Sequence, residues 1–176
     1  MVLHFQHTLP QALQEIEFSG EHQEFLIHDR PEPRTEDTIV QYGQAKWSIV
    51  DTINERYGAI LNSNSGAVLN NKFDLYNWLY YNDGDEVAYF LNEAGSNTLQ
   101  HAEFQAPNKF HLWLGKKGFI ISIEQQGKGF DAQEVEKNNI QKNAGAAFDF
   151  FRRCESAIFF DDPAQATKVF FQYRFR

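Results

Sequence analysis

The sequence is poor in the features that mark several large classes of protein. Cys154 is its single cysteine among 176 residues. No intramolecular disulfide can form, a cysteine-based zinc site has no partners, and the thiol reads as a small buried hydrophobe. Lys and Arg number 16 against 24 Asp and Glu, for a net charge of −8. Phosphate backbones require clustered basic residues, and Lys168, Arg174 and Arg176 are too few to supply them, so nucleic acid is not expected as a partner. No run of about 18 apolar residues occurs, and the opening Met1-Val-Leu-His-Phe-Gln-His7 has no basic segment followed by an apolar one. The expectation is a cytoplasmic protein with no membrane partner. No serine sits in a Gly-x-Ser-x-Gly setting, and the six histidines show no His-x-x-x-His spacing, so neither nucleophilic nor metal-dependent hydrolysis has a signature here. His4 and His7 share a segment expected to be a mobile terminus. Internal repeats and low-complexity tracts are also missing.

What is present is a folded globular composition. Hydrophobic residues make up 42% of the chain and aromatic residues 15%, with 17 phenylalanines, enough for one domain with a proper core. A short helix is predicted over Leu9 to Phe18, with Pro10 near its start and Ala12, Leu13 and Ile16 on one face. Ser19 to Thr38 is polar, holds Pro31 and Pro33, and reads as a loop after a brief strand at Phe25-Leu26-Ile27. Thr38 is placed to cap a helix running to Tyr57, with Val40, Gly43, Trp47, Val50 and Tyr57 at helical spacing and Gly58 as its stop. Asn62 to Gly66 marks a turn, Asp74 to Tyr81 is rich in aromatics suited to a core or an interface, and Asn82-Asp83-Gly84 precedes the next helix.

After Pro107 the period changes to two. Phe110, Leu112 and Leu114, the turn Gly115-Lys-Lys-Gly118, and the apolar run from Phe119 to Ile123 predict a β-hairpin closed by Gly127-Lys128-Gly129-Phe130. Ala132 to Asn143 reads as a polar linker. A helix is predicted from Gly145 to Glu155, and Ala157 to Phe160 and Thr167 to Phe175 form a last antiparallel strand pair. Helices early and strands late define the fold class as α+β: a two-layer sandwich with helices on one face of a mixed, mostly antiparallel sheet. The whole chain, 1–176, is read as one domain.

The segment Glu93-Ala-Gly-Ser-Asn97-Thr-Leu-Gln-His101-Ala102 carries the most chemistry. At about 100° per residue, Glu93, Asn97 and His101 fall along one edge of a helix, beside an apolar stripe of Val87, Phe90, Leu91, Ala94 and Ala102. Such a helix buries one side and offers a carboxylate, a carboxamide and an imidazole at its margin. A solvated amphipathic face would show the same spacing.

The order of this helix, the hairpin, the Gly-x-Gly-Phe turn, a further helix and a final hairpin resembles the GHKL (Bergerat-fold) ATPase domain, most closely that of anti-sigma-factor kinases and histidine kinases. The resemblance covers about 85–176, with 1–84 as an N-terminal extension. It implies ATP and Mg²⁺ as cofactors, with Glu93 as the base on the attacking nucleophile and Asn97 as a metal ligand. His101 is implied as a phosphate or lid contact, or as a purely structural residue. The family's Asp-x-Gly-x-Gly motif stands here as Gln125-Gln126-Gly127-Lys128-Gly129, which leaves Gln125 to accept from the adenine amine and the two glycines to let the backbone approach the nucleotide. Gly145, at a helix N-terminus with one glycine where the family has several, is implied as a phosphate contact. Thr167, in Ala166-Thr167 where the family has Gly-Thr, is expected near Gln125. The function implied is a nucleotide-binding regulator that phosphorylates a regulatory partner protein, as a monomer or dimer. The departures at Gln125, Gly145 and Ala166 keep open a second reading, a degenerate interaction module that binds no nucleotide.

Overall fold

A computed structural model describes residues 3–27, 35–65, 86–104, 107–142 and 156–175. The expected loop around Pro31 and Pro33, the aromatic segment Asp74 to Tyr81 with its following turn, and the Gly145 to Glu155 helix with Cys154 lie outside them. Ten elements follow in order: β1 (Leu3–His4), α1 (Leu9–Glu15), β2 (Phe18–Leu26), α2 (Glu36–Ser65), α3 (Glu86–His101), β3 (Pro107–Gly115), β4 (Gly118–Gln125), α4 (Ala132–Lys142), β5 (Ala157–Phe160) and β6 (Lys168–Arg174). The strands form one six-stranded sheet in the order β1-β5-β6-β4-β3-β2. Only β1 and β5 run parallel; every other pair is antiparallel. This is the α+β sandwich that the element pattern predicts.

The period-two alternation of β3 decides which face is which. Phe110, Leu112 and Leu114 join Phe119, Ile121 and Ile123 of β4 and Phe171 of β6 in a core closed by α2 and α3. Phe90, Phe110, Phe119 and Phe171 are completely buried, each contributing on the order of 2 kcal/mol by removal of apolar surface from water. The stripe predicted on α3 is buried along its length, from Val87, Phe90 and Leu91 to Ala94 and Ala102. α2 adds Tyr42, Ala45, Ile49, Val50, Ile53, Tyr57 and Leu61. Its Tyr42 hydroxyl donates to the Leu91 carbonyl, an approach permitted by Gly95, where a Cβ would lie 1.8 Å from that hydroxyl. On the opposite face α1 covers Trp113, Ile120, Phe159 and Phe170 with Ala12 and Ile16, and Leu9 and Leu13 pack beside them.

Several sequence expectations need correction. α2 extends over 30 residues, past Gly58 and through Asn62, because Leu61 still has core to meet and a single glycine costs a helix only about 1 kcal/mol. Thr35, not Thr38, caps it, accepting from the Thr38 N–H at 3.2 Å. Val40 and Trp47 point outward. The first part of the polar stretch, Ser19 to Leu26, is strand β2, bulged between Phe18 and Glu21, where Gly20 takes φ 89°. The supposed linker from Ala132 is helix α4, capped by the Asp131 carboxylate, which accepts from the Glu134 N–H at 2.8 Å and satisfies an otherwise orphan donor. The N-terminal segment is tied down rather than mobile: Leu3 is buried and paired with Ile158, and His7 bonds the Gln172 side chain at 2.9 Å.

Candidate functional site

α3 rests on the core face of the sheet, and its polar edge rises from that buried base. Glu93 and Asn97 are half-buried and His101 is exposed. Burial pushes the Glu93 carboxyl above its ordinary pKa, since the charged form loses water. A carboxyl so perturbed at the margin of a helix suits proton transfer better than a solvated one.

The end of this segment meets the glycine turn. Glu103, two residues beyond α3, accepts from the Lys128 N–H at 3.0 Å. Gly127 and Gly129 take φ of 97° and 73°, a region open to glycine and costly for other residues. Each is also crowded: a Cβ at Gly127 would come within 2.5 Å of the Glu103 carboxylate, and one at Gly129 within 2.6 Å of the Ala166 carbonyl. Phe130 pairs with Ala166 as an isolated antiparallel bridge. The strand that precedes the turn brings Gln125 to Thr167: the Gln125 N–H donates to the Thr167 carbonyl at 2.9 Å, and the Gln125 side-chain amide reaches the Ala166 carbonyl at 3.4 Å. The Thr167 hydroxyl donates to Asp161 at 2.6 Å, and Asp161 also accepts from the Thr167 and Lys168 N–H groups. The structure therefore joins Gln125, Gly127, Gly129 and the Thr167 backbone in one cluster that adjoins the end of α3. Among the described residues, no hydrogen bond links Glu93, Asn97 or His101 to that cluster. Gly145 lies outside the described residues.

Two features escape sequence reasoning. Lys46 of α2 donates to the Asn92 side chain at 3.1 Å, one residue from Glu93. Its ammonium sits 4.2 Å above the Tyr42 ring, and burial lowers its pKa to about 8. No local signal marks this lysine, because its burial depends on α3 packing across α2.

The second feature is on the other face of the sheet. His22, Glu24 and His111 converge there, with candidate ligand atoms all within 4.8 Å of one another. His22 Nε2 lies 3.1 Å from His111 Nδ1, and Glu24 approaches that same nitrogen at 3.5 Å. His111 Nε2 donates to Glu124 at 2.8 Å. That bond, the first cause, and the nearby Lys168 hold the Glu124 carboxyl down to about 2, against an opposing effect of burial. His22 and Glu24 stand two apart on β2 and so share a face, which the polar sequence does not reveal until the segment is known to be strand. The third member comes from a strand nearly ninety positions on, and nothing local announces it.

Fold and site define an α+β sandwich with a mixed sheet, a partly buried polar helix edge and a glycine turn held beside it. No protein-family model matches the chain, and no curated protein or solved structure is significantly similar to it. No helix among the described residues is long and apolar enough to cross a membrane.

Proposed function

We propose that this chain is a nucleotide-binding regulatory protein of the GHKL type, which takes ATP with Mg²⁺ and acts on a partner protein. The observation that carries the reading is the adjacency of three motif segments. Glu103 at the end of the Glu93 and Asn97 helix holds the Gly127-Lys128-Gly129 turn at 3.0 Å, and Gln125 is bonded to Thr167 at 2.9 Å. The glycine turn thus adjoins the end of the helix that carries Glu93 and Asn97, and Thr167 adjoins the strand that leads into the turn.

The donor set fits the cofactors. Mg²⁺ keeps most of its waters and takes one or two protein oxygens together with phosphates, so the Asn97 carboxamide suffices as the protein ligand. The Gln125 side-chain carbonyl can accept from an exocyclic amine while its amide nitrogen faces Ala166. Bound Mg-ATP supplies a transferable phosphoryl group. Glu93, its proton affinity raised by burial, would take the proton from an acceptor hydroxyl or imidazole on the partner, and positioning would provide most of the remaining catalysis. A cytoplasmic setting goes with this reading, because ATP is abundant there.

The interaction-module reading rests on a specific observation. The Lys128 N–H is already engaged by the Glu103 carboxylate, and a carboxamide replaces the acid that would select adenine. A thermal-shift titration with Mg-ATP separates the two. At about 100 times its dissociation constant a ligand adds about 2.7 kcal/mol of stability, and Asn97→Ala should remove the Mg²⁺-dependent part. Stability unchanged at millimolar Mg-ATP refutes nucleotide binding and favours the interaction module over it, a motif match by chance giving the same result. If nucleotide binds, Glu93→Ala should abolish phosphate transfer and spare binding; transfer at an unchanged rate refutes the role of Glu93.

A further inference from the structure

Among the described residues, the sheet face opposite α2 and α3 is only partly covered. α1 shields it around Phe159, Phe170, Ile120 and part of Trp113, and His22 and Glu24 stand exposed beyond that shield, with the His111 ring buried between them and the sheet. We propose that His22, Glu24 and His111 form a binding site for a divalent transition-metal ion, Zn²⁺ before others, with the fourth position open to water or an external ligand.

The geometry comes from the strand register. Glu24 lies directly across from His111, and His22 across from Trp113, so all three ligands project from two adjacent strands on one face. Tetrahedral Zn²⁺ with bonds of about 2.0–2.1 Å places its donor atoms about 3.4 Å apart. The His22 to His111 separation is 3.1 Å and the His111 to Glu24 separation 3.5 Å. Closing the site asks for adjustment of exposed Glu24, well within its rotamer freedom, and for His22 to carry its proton on Nδ1 so that Nε2 can ligate.

The surroundings prepare the nitrogens as ligands. Glu124 accepts the His111 Nε2–H at 2.8 Å, which leaves the lone pair on Nδ1, the atom facing His22 and Glu24. A carboxylate behind a ligating histidine in this way fixes its tautomer and raises its basicity. The His22 ring stacks on Trp113 at 4.5 Å with an interplanar angle of 2°, which holds its plane. Ser122, directly across β4 from His111, is fully buried, and its hydroxyl has no hydrogen-bond partner among the described residues.

Charge selects the class of ion. Lys109 lies 3.4 Å from Glu24 and Lys168 lies 3.3 Å from Glu124, so two ammonium groups offset the two carboxylates. Hard ions such as Mg²⁺ and Ca²⁺ depend on oxygen ligands and net negative charge. Here affinity has to come from two imidazoles, which suit Zn²⁺, Cu²⁺ and Ni²⁺. The site is independent of ATP, since α3 and the core lie on the other side of the sheet.

Isothermal titration of the chelator-stripped full chain with Zn²⁺ tests the proposal. One equivalent is expected to bind, weakened at least about tenfold by His22→Gln and by Glu24→Gln, both at exposed positions, with an unchanged circular dichroism spectrum. Glu124→Gln, which acts through His111, should weaken binding about 10–100-fold. Cu²⁺ should quench Trp113 fluorescence saturably, and Trp113→Phe should remove that component. An absence of saturable Zn²⁺ binding means that His22 and His111 are simply hydrogen-bonded, and overturns the site. Binding that both His22→Gln and Glu24→Gln leave untouched overturns it equally.

Discussion

Glu124→Gln should make the protein less stable at neutral pH by an amount that disappears in acid. Glu124 accepts from His111 at 2.8 Å and pairs with Lys168 at 3.3 Å, and its pKa falls from 4.5 to about 2. The difference, 4.5 − 2 = 2.5, corresponds at about 1.4 kcal/mol per pH unit to a ceiling of about 3.4 kcal/mol. The Glu124 and Lys168 side chains keep 21% and 34% of their exposure, so solvent screening reduces this to about 1–2 kcal/mol. The folded protein holds this proton less tightly than the unfolded chain. The stabilisation is therefore complete above pH 4.5 and is lost as pH falls from there toward about 2. Glutamine keeps an oxygen for His111 but carries no charge, so the variant lacks this dependence. Urea unfolding of both proteins with chelator present, followed by circular dichroism from about pH 7 to about pH 3, should show a gap of about 1–2 kcal/mol that narrows below about pH 4.5. A gap near zero at neutral pH, or one equally wide at about pH 3, refutes the ion-pair account of Glu124.

Gly95→Ala should lower the melting temperature by about 4–8 °C, corresponding to about 2 kcal/mol in a chain of this size. The new methyl would sit 1.8 Å from the Tyr42 hydroxyl, forcing the ring away from the Leu91 carbonyl and from its edge-on contact with Phe110, a loss that exceeds the gain in helix propensity of about 1 kcal/mol. A melting temperature equal to or above that of the parent disproves the close approach. For Lys46, whose pKa burial lowers to about 8, the folded protein binds fewer protons than the unfolded chain between that value and 10.5. Stability attributable to this lysine must then rise with pH across that window, and Lys46→Met should remove the rise. Urea midpoints of parent and variant that run parallel from about pH 8 to about pH 10 exclude the buried ammonium.

Legibility in the sequence follows from how local each signal is. Val87, Phe90, Leu91, Ala94 and Ala102 show α3 by their own spacing, and all five are buried. Phe110, Leu112 and Leu114 show β3 equally well, because a face that meets a core must be apolar at every second residue. α4 is hidden by the same logic: of the residues described in it, only Ala132 is fully buried, so Gln, Glu and Asn dominate and the composition imitates a linker. The Asp131-x-x-Glu134 start was its one readable sign. β2 is an edge strand, so polar Glu21 and Gln23 do not disqualify it.

The sites divide along the same line. Glu93, Asn97 and His101 are legible because a helix brings residues four apart together, and Gly127 and Gly129 because a turn is local. What brings the glycine turn to the end of α3 is the Glu103 contact to Lys128, and what sets Gln125 beside Thr167 is the pairing of their strands, which sequence order suggests without specifying. For His22 and His111 even the order is silent. The segment holding His22 reads only as polar sequence ahead of the strand expected at Phe25-Leu26-Ile27, and one step of register would turn His111 toward the core and Leu112 outward. The apolar side of β3 therefore fixes where its polar side points: Phe110, Leu112 and Leu114 take the core, and their burial leaves His111 on the face where His22 and Glu24 arrive. Moving the β2 pairing by one residue would abolish the metal site and turn Phe25, across from Phe110, off the core face, so Zn²⁺ affinity reports directly on the β2 register.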